Sequence, residues 1–155
     1  EPRTAKASRR LDAISRLADA GIPVHVNVAP LIPALNDHEI PAILEAAAAA
    51  GASSASYTVL RLPGAVAEVF SAWLQEHYPE RADKVLHRVR QMRDGRLSSA
   101  DFGSRMRGSG EYGAQLGSLF SLWRRKLGLG RRPGPAELRT DLFRVPGSVE
   151  QPRLF

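Results

Sequence analysis

An α/β fold with a parallel sheet is what this chain of 155 residues predicts, and three observations carry the expectation. Over residues 1–63 the apolar spacing runs helix, strand, helix, strand. Both strand-like runs are rich in β-branched residues, and the helix between them is a crossover of the kind that joins strands in parallel. Beyond residue 63 the pattern turns wholly helical. A parallel sheet of two strands leaves open edges and little apolar area to bury, so the chain is expected to be the latter part of a larger α/β domain.

The first helix is expected from Ser8 to Ala20, with Leu11, Ile14, Leu17 and Ala18 at helical spacing and Arg9, Arg10, Asp12 and Asp19 in water. Gly21 stops it. Val24, Val26 and Val28 form the first strand, in which His25 and Asn27 make one face more polar than the other. A Pro/Asn/Asp loop follows. At its end Asn36 is placed to cap the next helix while Glu39, three residues on, reaches back. Ile40, Ile43, Leu44 and Ala47 are that helix's buried stripe, and its alanine run suits close packing on a sheet. Ser56 to Leu62 is the second strand, closed by Pro63.

Two helical stripes come next. The first is Val66, Val69, Phe70, Trp73 and Leu74, and the second is Ala82, Val85, Leu86, Val89 and Met92, with Pro79 marking the restart. Asp94 to Gly113 is a long segment rich in Gly, Ser and Arg, and loops of that length in compact domains tend to be functional or disordered. A last amphipathic helix, Glu111 to Leu127, turns Tyr112, Leu116, Leu119, Phe120 and Trp123 inward. The chain thus divides into α/β units at 1–63, a basic helical extension at 64–128 containing the Gly/Arg-rich loop 94–113, and an extended tail at 129–155 with Leu142, Phe143, Leu154 and Phe155 as docking points.

Composition narrows the function classes. Hydrophobic residues are 43% of the chain, enough for a core. There is no cysteine, so these residues supply no disulfide, thiolate metal site or cysteine nucleophile. No apolar run approaches the roughly 18 residues of a membrane span, and nothing at the front resembles a signal peptide, so a soluble, cytoplasmic protein is expected. The first residue is Glu, which keeps a fragment or trimmed chain open. Formal charge is −3 over residues 1–80 and +9 over 81–132, so a polyanionic partner would meet the second half. His25, His38, His77 and His87 lack metal-ligand spacing, no Ser/His/Asp set can be assembled, and no Gly-rich phosphate loop precedes a helix.

Three places invite a ligand. The loop Pro30 to Asp37 is either a turn with a helix cap or a ligand wall, with Ala29, Leu31 and Ile32 for a flat base and Asn36 for hydrogen bonds. Arg61 ends an otherwise apolar strand and must be paired, either with a carboxylate such as Asp37 or Glu39 or with a ligand carboxylate or phosphate. Arg105 and Arg107, framed by Gly103, Gly108 and Gly110, form either a solvated loop or a phosphate clamp. The basic run Arg124, Arg125, Lys126 suits a helix C-terminus.

Taken together, the stretch at residues 1–52, YTVLRLP at 57–63 and FGSRMRGSGEYG at 102–113 make the chain resemble the C-terminal half of a radical S-adenosylmethionine (radical SAM) protein, in the subgroup related to spore photoproduct lyase. The resemblance implies a partial (β/α)6 TIM-like barrel. It implies a [4Fe-4S] cluster held by a CxxxCxxC loop, S-adenosylmethionine on the cluster's open iron, and reductive cleavage to a radical that abstracts hydrogen from substrate. The cluster ligands are not in this chain, which alone is expected to be inactive. Ala29, Ile32, Asn36, Leu60 and Arg61 are the cofactor-side residues it suggests, and Ala34 stands where the family has a glycine. Nucleic acid, bound through Arg105 and Arg107, is the substrate it suggests, and the N-terminal half of the barrel the partner. The ending QPRLF, residues 151–155, resembles a sliding-clamp docking peptide. The alternative is a non-enzymatic basic helical module that binds nucleic acid or a protein.

Overall fold

The computed structural model describes residues 4–130. In chain order they form α1 (Ala7–Asp19), β1 (His25–Leu31), a 3-10 turn (Asp37–Glu39), α2 (Ile40–Ala49), β2 (Ser54–Val59), α3 (Val66–His77), α4 (Pro79–Gln91) and α5 (Gly110–Lys126). The sheet is the expected parallel pair, in register from His25 opposite Ser54 to Val28 opposite Tyr57. Its architecture is therefore mixed α/β.

Both strand boundaries differ from expectation. β1 runs on through Pro30 to Leu31, with its register broken between Val28 and Leu31. Proline cannot donate to a ladder, and a break in register is where a strand tolerates it. β2 begins earlier, at Ser54, and ends at Val59 rather than Leu62. The amide of Leu60 still donates to the carbonyl of Leu31, but that of Leu62 turns to Leu97 in the later loop.

The polar face of the pair is a cross-strand ladder. The His25 ring bonds the hydroxyls of Ser54 and Ser56, each at 2.8 Å, and Ser56 donates to Asn27 Oδ1 at 3.1 Å. The apolar face builds the first core, in which Val28, Ala55 and Tyr57 meet Leu44 of α2 and Leu116 and Phe120 of α5. So α5, far along the chain, completes the layer on the sheet. Tyr57 and Phe120 stack at 4.7 Å between ring centroids. A second core joins Leu60 and Leu62 to Leu74 of α3 and to Ala82, Val85, Leu86 and Val89 of α4.

Two helical expectations are corrected. On α3, Leu74 is buried with Phe70 and Trp73 packed beside it, but Val66 is 50% and Val69 70% exposed. These two fall outside the packed face, while Ala67 and Phe70 in the same stretch pack against the second core. No residue of α1 is fully buried, and its Leu17 is 42% exposed. What holds α1 is a close approach to the end of α2, where a Cβ on Gly51 would fall 2.7 Å from that of Ala18.

The loop after α4 is well pinned. Ser109 donates to the carbonyl of Met92 at 2.9 Å, so the two ends of the loop meet. Midway, the carbonyl of Met106 accepts from the amide of Val59 at 2.8 Å. Past α5, Leu129 is buried, and Gly130 pairs with Ser53 and Ala55 on the far side of β2. The remaining tail and the 151–155 peptide lie outside the described residues. No described helix is long and apolar enough to cross a membrane.

Candidate functional site

The carboxyl ends of β1 and β2 open onto two loops, 32–37 and 60–63. The first is held by its own side chains. Asn36 Oδ1 accepts from the amide of Ile32 at 2.7 Å, and its Nδ2 donates to the carbonyl of Pro30 at 3.1 Å. Asn36 was expected to cap the following helix, yet it makes no side-chain cap bond. Its side chain instead closes the loop behind it, satisfying an amide and a carbonyl that the break in β1 leaves free.

Asp37 is the second clasp. Its Oδ2 accepts from the amide of Ala34 at 3.0 Å and from the hydroxyl of Tyr112 on α5. Arg88 of α4 lies over the Tyr112 ring, 4.7 Å from its centroid. Loop, α4 and α5 thus meet around the Tyr112 side chain. Burial first, and then the bond to Asp37, push the Tyr112 hydroxyl up to about 12.

Ala34 sits at φ 62°, in the left-handed region. An L-residue there costs about 1–2 kcal/mol, partly offset on replacement by glycine's greater freedom when unfolded. Ala34→Gly is therefore expected to raise stability by about 0.5 kcal/mol, read as a higher urea midpoint at unchanged slope. A lower midpoint would show that the methyl's packing outweighs its backbone strain.

Arg61 does not pair with Asp37 or Glu39. Its Nη2 makes a long contact, 3.5 Å, with the carbonyl of Ser99, and its Nε is buried without a partner. The strand ends at Val59, so Arg61 is directed toward the later loop rather than toward loop 32–37. There it lines an open cavity of about 600 Å³ together with Pro63, Gly64, Arg93, Asp94, Arg96, Ser98, Ser99, Ala100 and Asp101.

Arg93 is the residue that the sequence reading missed. It is only 2% exposed. Its Nη1 donates to the carbonyl of Arg105 at 3.0 Å, and its Nη2 to those of Leu60 at 2.7 Å and Val59 at 3.4 Å. Its Nε has no partner. Burial, and then the charge of Arg61, lower its pKa. The available signal was periodicity, because Arg93 lies four residues after Val89 and so continues the buried stripe of α4.

The other candidates scatter. Ala29 is exposed, Ile32 is half-buried against the second core, and Leu60 is buried within it. Of the five cofactor-side residues, Arg61 alone lines the cavity. Arg105 lies over Phe102 at 4.8 Å and Arg107 over Tyr57 at 5.3 Å, so the expected clamp is two arginines on two different rings. Arg107 shares a second, 380 Å³ cavity with Arg124, Ser56 and Ser121. Among the described residues no group of His, Cys, Asp or Glu is arranged to hold a metal.

Known proteins give a narrow comparison. No family model matches the chain, and no solved structure matches it. The uncharacterized proteins Rv2578c of Mycobacterium tuberculosis and Mb2609c of Mycobacterium bovis are each 35% identical to it over 82 residues. That stretch covers 52% of this chain and 24% of each relative, so the chain spans about a quarter of the length of the curated relatives it matches.

Proposed function

We propose that this chain is the C-terminal portion of a radical SAM enzyme, supplying the last two strands of a partial (β/α)6 barrel and one wall of its cofactor pocket. The observation that carries the reading is the parallel pair β1–β2, joined through α2, with both carboxyl ends opening on the same side as loops 32–37 and 60–63. In α/β barrels, ligands gather at that edge.

The cluster has no place on these residues. The chain has no cysteine, so three thiolates must come from elsewhere in the protein, and no step here runs through iron. The apolar strand ends do suit S-adenosylmethionine. Exposed Ala29 and half-buried Ile32 are the apolar groups open to a flat base, Leu60 stays within the second core, and Asn36 acts indirectly by fixing the backbone at Ile32. When bound, S-adenosylmethionine supplies the radical that removes hydrogen from substrate. The residues here bind and orient it and shield it from water.

The gene's full-length product, expressed without oxygen and given iron, sulfide, a reductant and S-adenosylmethionine, is expected to be brown and to release 5′-deoxyadenosine. A full-length product with no cluster cysteines would sink the reading.

A second reading, a nucleic-acid module with no cofactor, is favoured by Phe102, 86% exposed beside Arg105, and by Arg107 and Arg124 on their shared cavity. An exposed ring next to guanidinium groups suits base stacking and phosphate contact. Affinity for single strands that falls steeply with salt would support it.

A further inference from the structure

We infer that the cavity between the end of β2 and the loop after α4 is an oxyanion site that takes the phosphate group of a ligand, with Arg61, Arg93 and Arg96 as its cationic wall. Three features converge on it. Arg61 and Arg93 both line the cavity, and each carries a buried Nε with no acceptor. Among the described residues neither guanidinium is in an ion pair, although Arg93 is almost wholly buried. Buried charge is normally matched by an opposite charge, and a buried N–H donor by an acceptor.

The carbonyls of Val59, Leu60 and Arg105 hold Arg93 in position but neutralise nothing, and one long contact to Ser99 does little for Arg61. An arriving anion supplies the missing charge.

The two carboxylates of the cavity do not fill that role. Asp101 accepts from the hydroxyl of Ser99 at 2.8 Å, which turns it onto its own loop. Asp94, at φ 52°, is exposed and leaves one positive charge in excess over the cavity's three arginines and two aspartates. Phosphate fits better than carboxylate, since its three outer oxygens can meet several guanidinium groups at once, with the hydroxyl of Ser98 in the same wall. A volume of 600 Å³ is far larger than one phosphate and lies within the range of small-molecule sites, so the rest of the ligand is accommodated there as well.

The site requires neither cluster nor cofactor, so its failure and that of the enzymatic reading are separable. Full-length protein is titrated with inorganic phosphate against chloride at equal ionic strength, and binding is followed by phosphorus NMR. Phosphate is expected to bind selectively, with Arg61→Gln and Arg96→Gln each weakening it about tenfold or more. Arg90→Gln, on the exposed side of α4, should leave it unchanged, and Asp94→Asn, which keeps a residue at ease in left-handed backbone, should tighten it. A nucleoside 5′-monophosphate that displaces phosphate through Arg61 assigns the group to a nucleotide. An oligonucleotide lacking terminal phosphate that does so assigns it to a nucleic-acid backbone. Equal affinity in wild type and Arg61→Gln, no preference over chloride, or weaker binding in Asp94→Asn would overturn the inference.

Discussion

Arg93→Met is expected to lower the stability of the fold by about 2–3 kcal/mol, the cost of the carbonyls it leaves unsatisfied less what is recovered by removing an unpaired buried charge. Methionine matches much of the volume, so the loss is not one of packing. It comes from the carbonyls of Val59, Leu60 and Arg105, which lose their donor in a buried place. A buried polar group left unsatisfied costs about 1–3 kcal/mol. The three carbonyls also come from two separate segments, so the variant should loosen the later loop from the end of β2. Urea unfolding gives the size, and hydrogen exchange at Val59, whose amide donates to Met106, gives the place. A loss under about 1 kcal/mol would mean that water replaces the guanidinium without penalty.

Tyr112→Phe is expected to cost about 2 kcal/mol near neutral pH, by removing a bond to an ionised acceptor. Its pH dependence is the sharper test. The Tyr112 hydroxyl is pushed up to about 12 in the fold, chiefly by burial and then by Asp37, against the ordinary value of 10. A raised folded value means that the protonated form is the one the fold favours. Its contribution is complete below pH 10 and is lost as pH rises from about 10 to about 12, by about 1–2 kcal/mol in all once solvent screening of this partly exposed group is allowed for. The wild type should lose stability through that window more steeply than the variant, and the two curves should converge at the top. Parallel curves would mean that neither burial nor Asp37 holds the hydroxyl in its protonated form.

How far the sequence could be read follows from what each residue answers to. β1, α2 and β2 were legible because periodicity and turn residues are local, and of the four residues the spacing selects on α2, Ile40, Leu44 and Ala47 are buried and Ile43 partly so. The stripe of α4 was legible for the same reason, down to Ala82, Val85, Leu86 and Val89. Asn36 was misassigned because an asparagine can bond backward as easily as forward, and the break in β1 made the backward acceptor site worth more. The loop Asp94 to Gly113 read as open because its anchors are backbone groups on β2, which composition does not record.

Some of the site had no local signature. Asp37 meets Tyr112 across 75 positions of chain, and each looked complete by itself, one as a turn residue and the other as part of an apolar face. Arg61 stands out in the sequence as a charge at the end of an apolar strand, but its neighbour Arg93 was hidden inside an exposed-looking charged run. Arginine reads as surface from composition, and only the four-residue step from Val89 argues otherwise.

The meeting of Ser109 with Met92 has a consequence for how this molecule can vary. The segment between them begins and ends at one point, so its tip, between the anchors at Leu97 and Arg105, can lengthen without moving α4 or α5. Lengthening such a closed excursion is cheap, about 0.6 kcal/mol for each doubling. The tip at Phe102 and Gly103, exposed and with open space around it, is where insertions would be absorbed. Variation at that tip is thereby separated from the packing of α4 and α5 on the rest of the molecule.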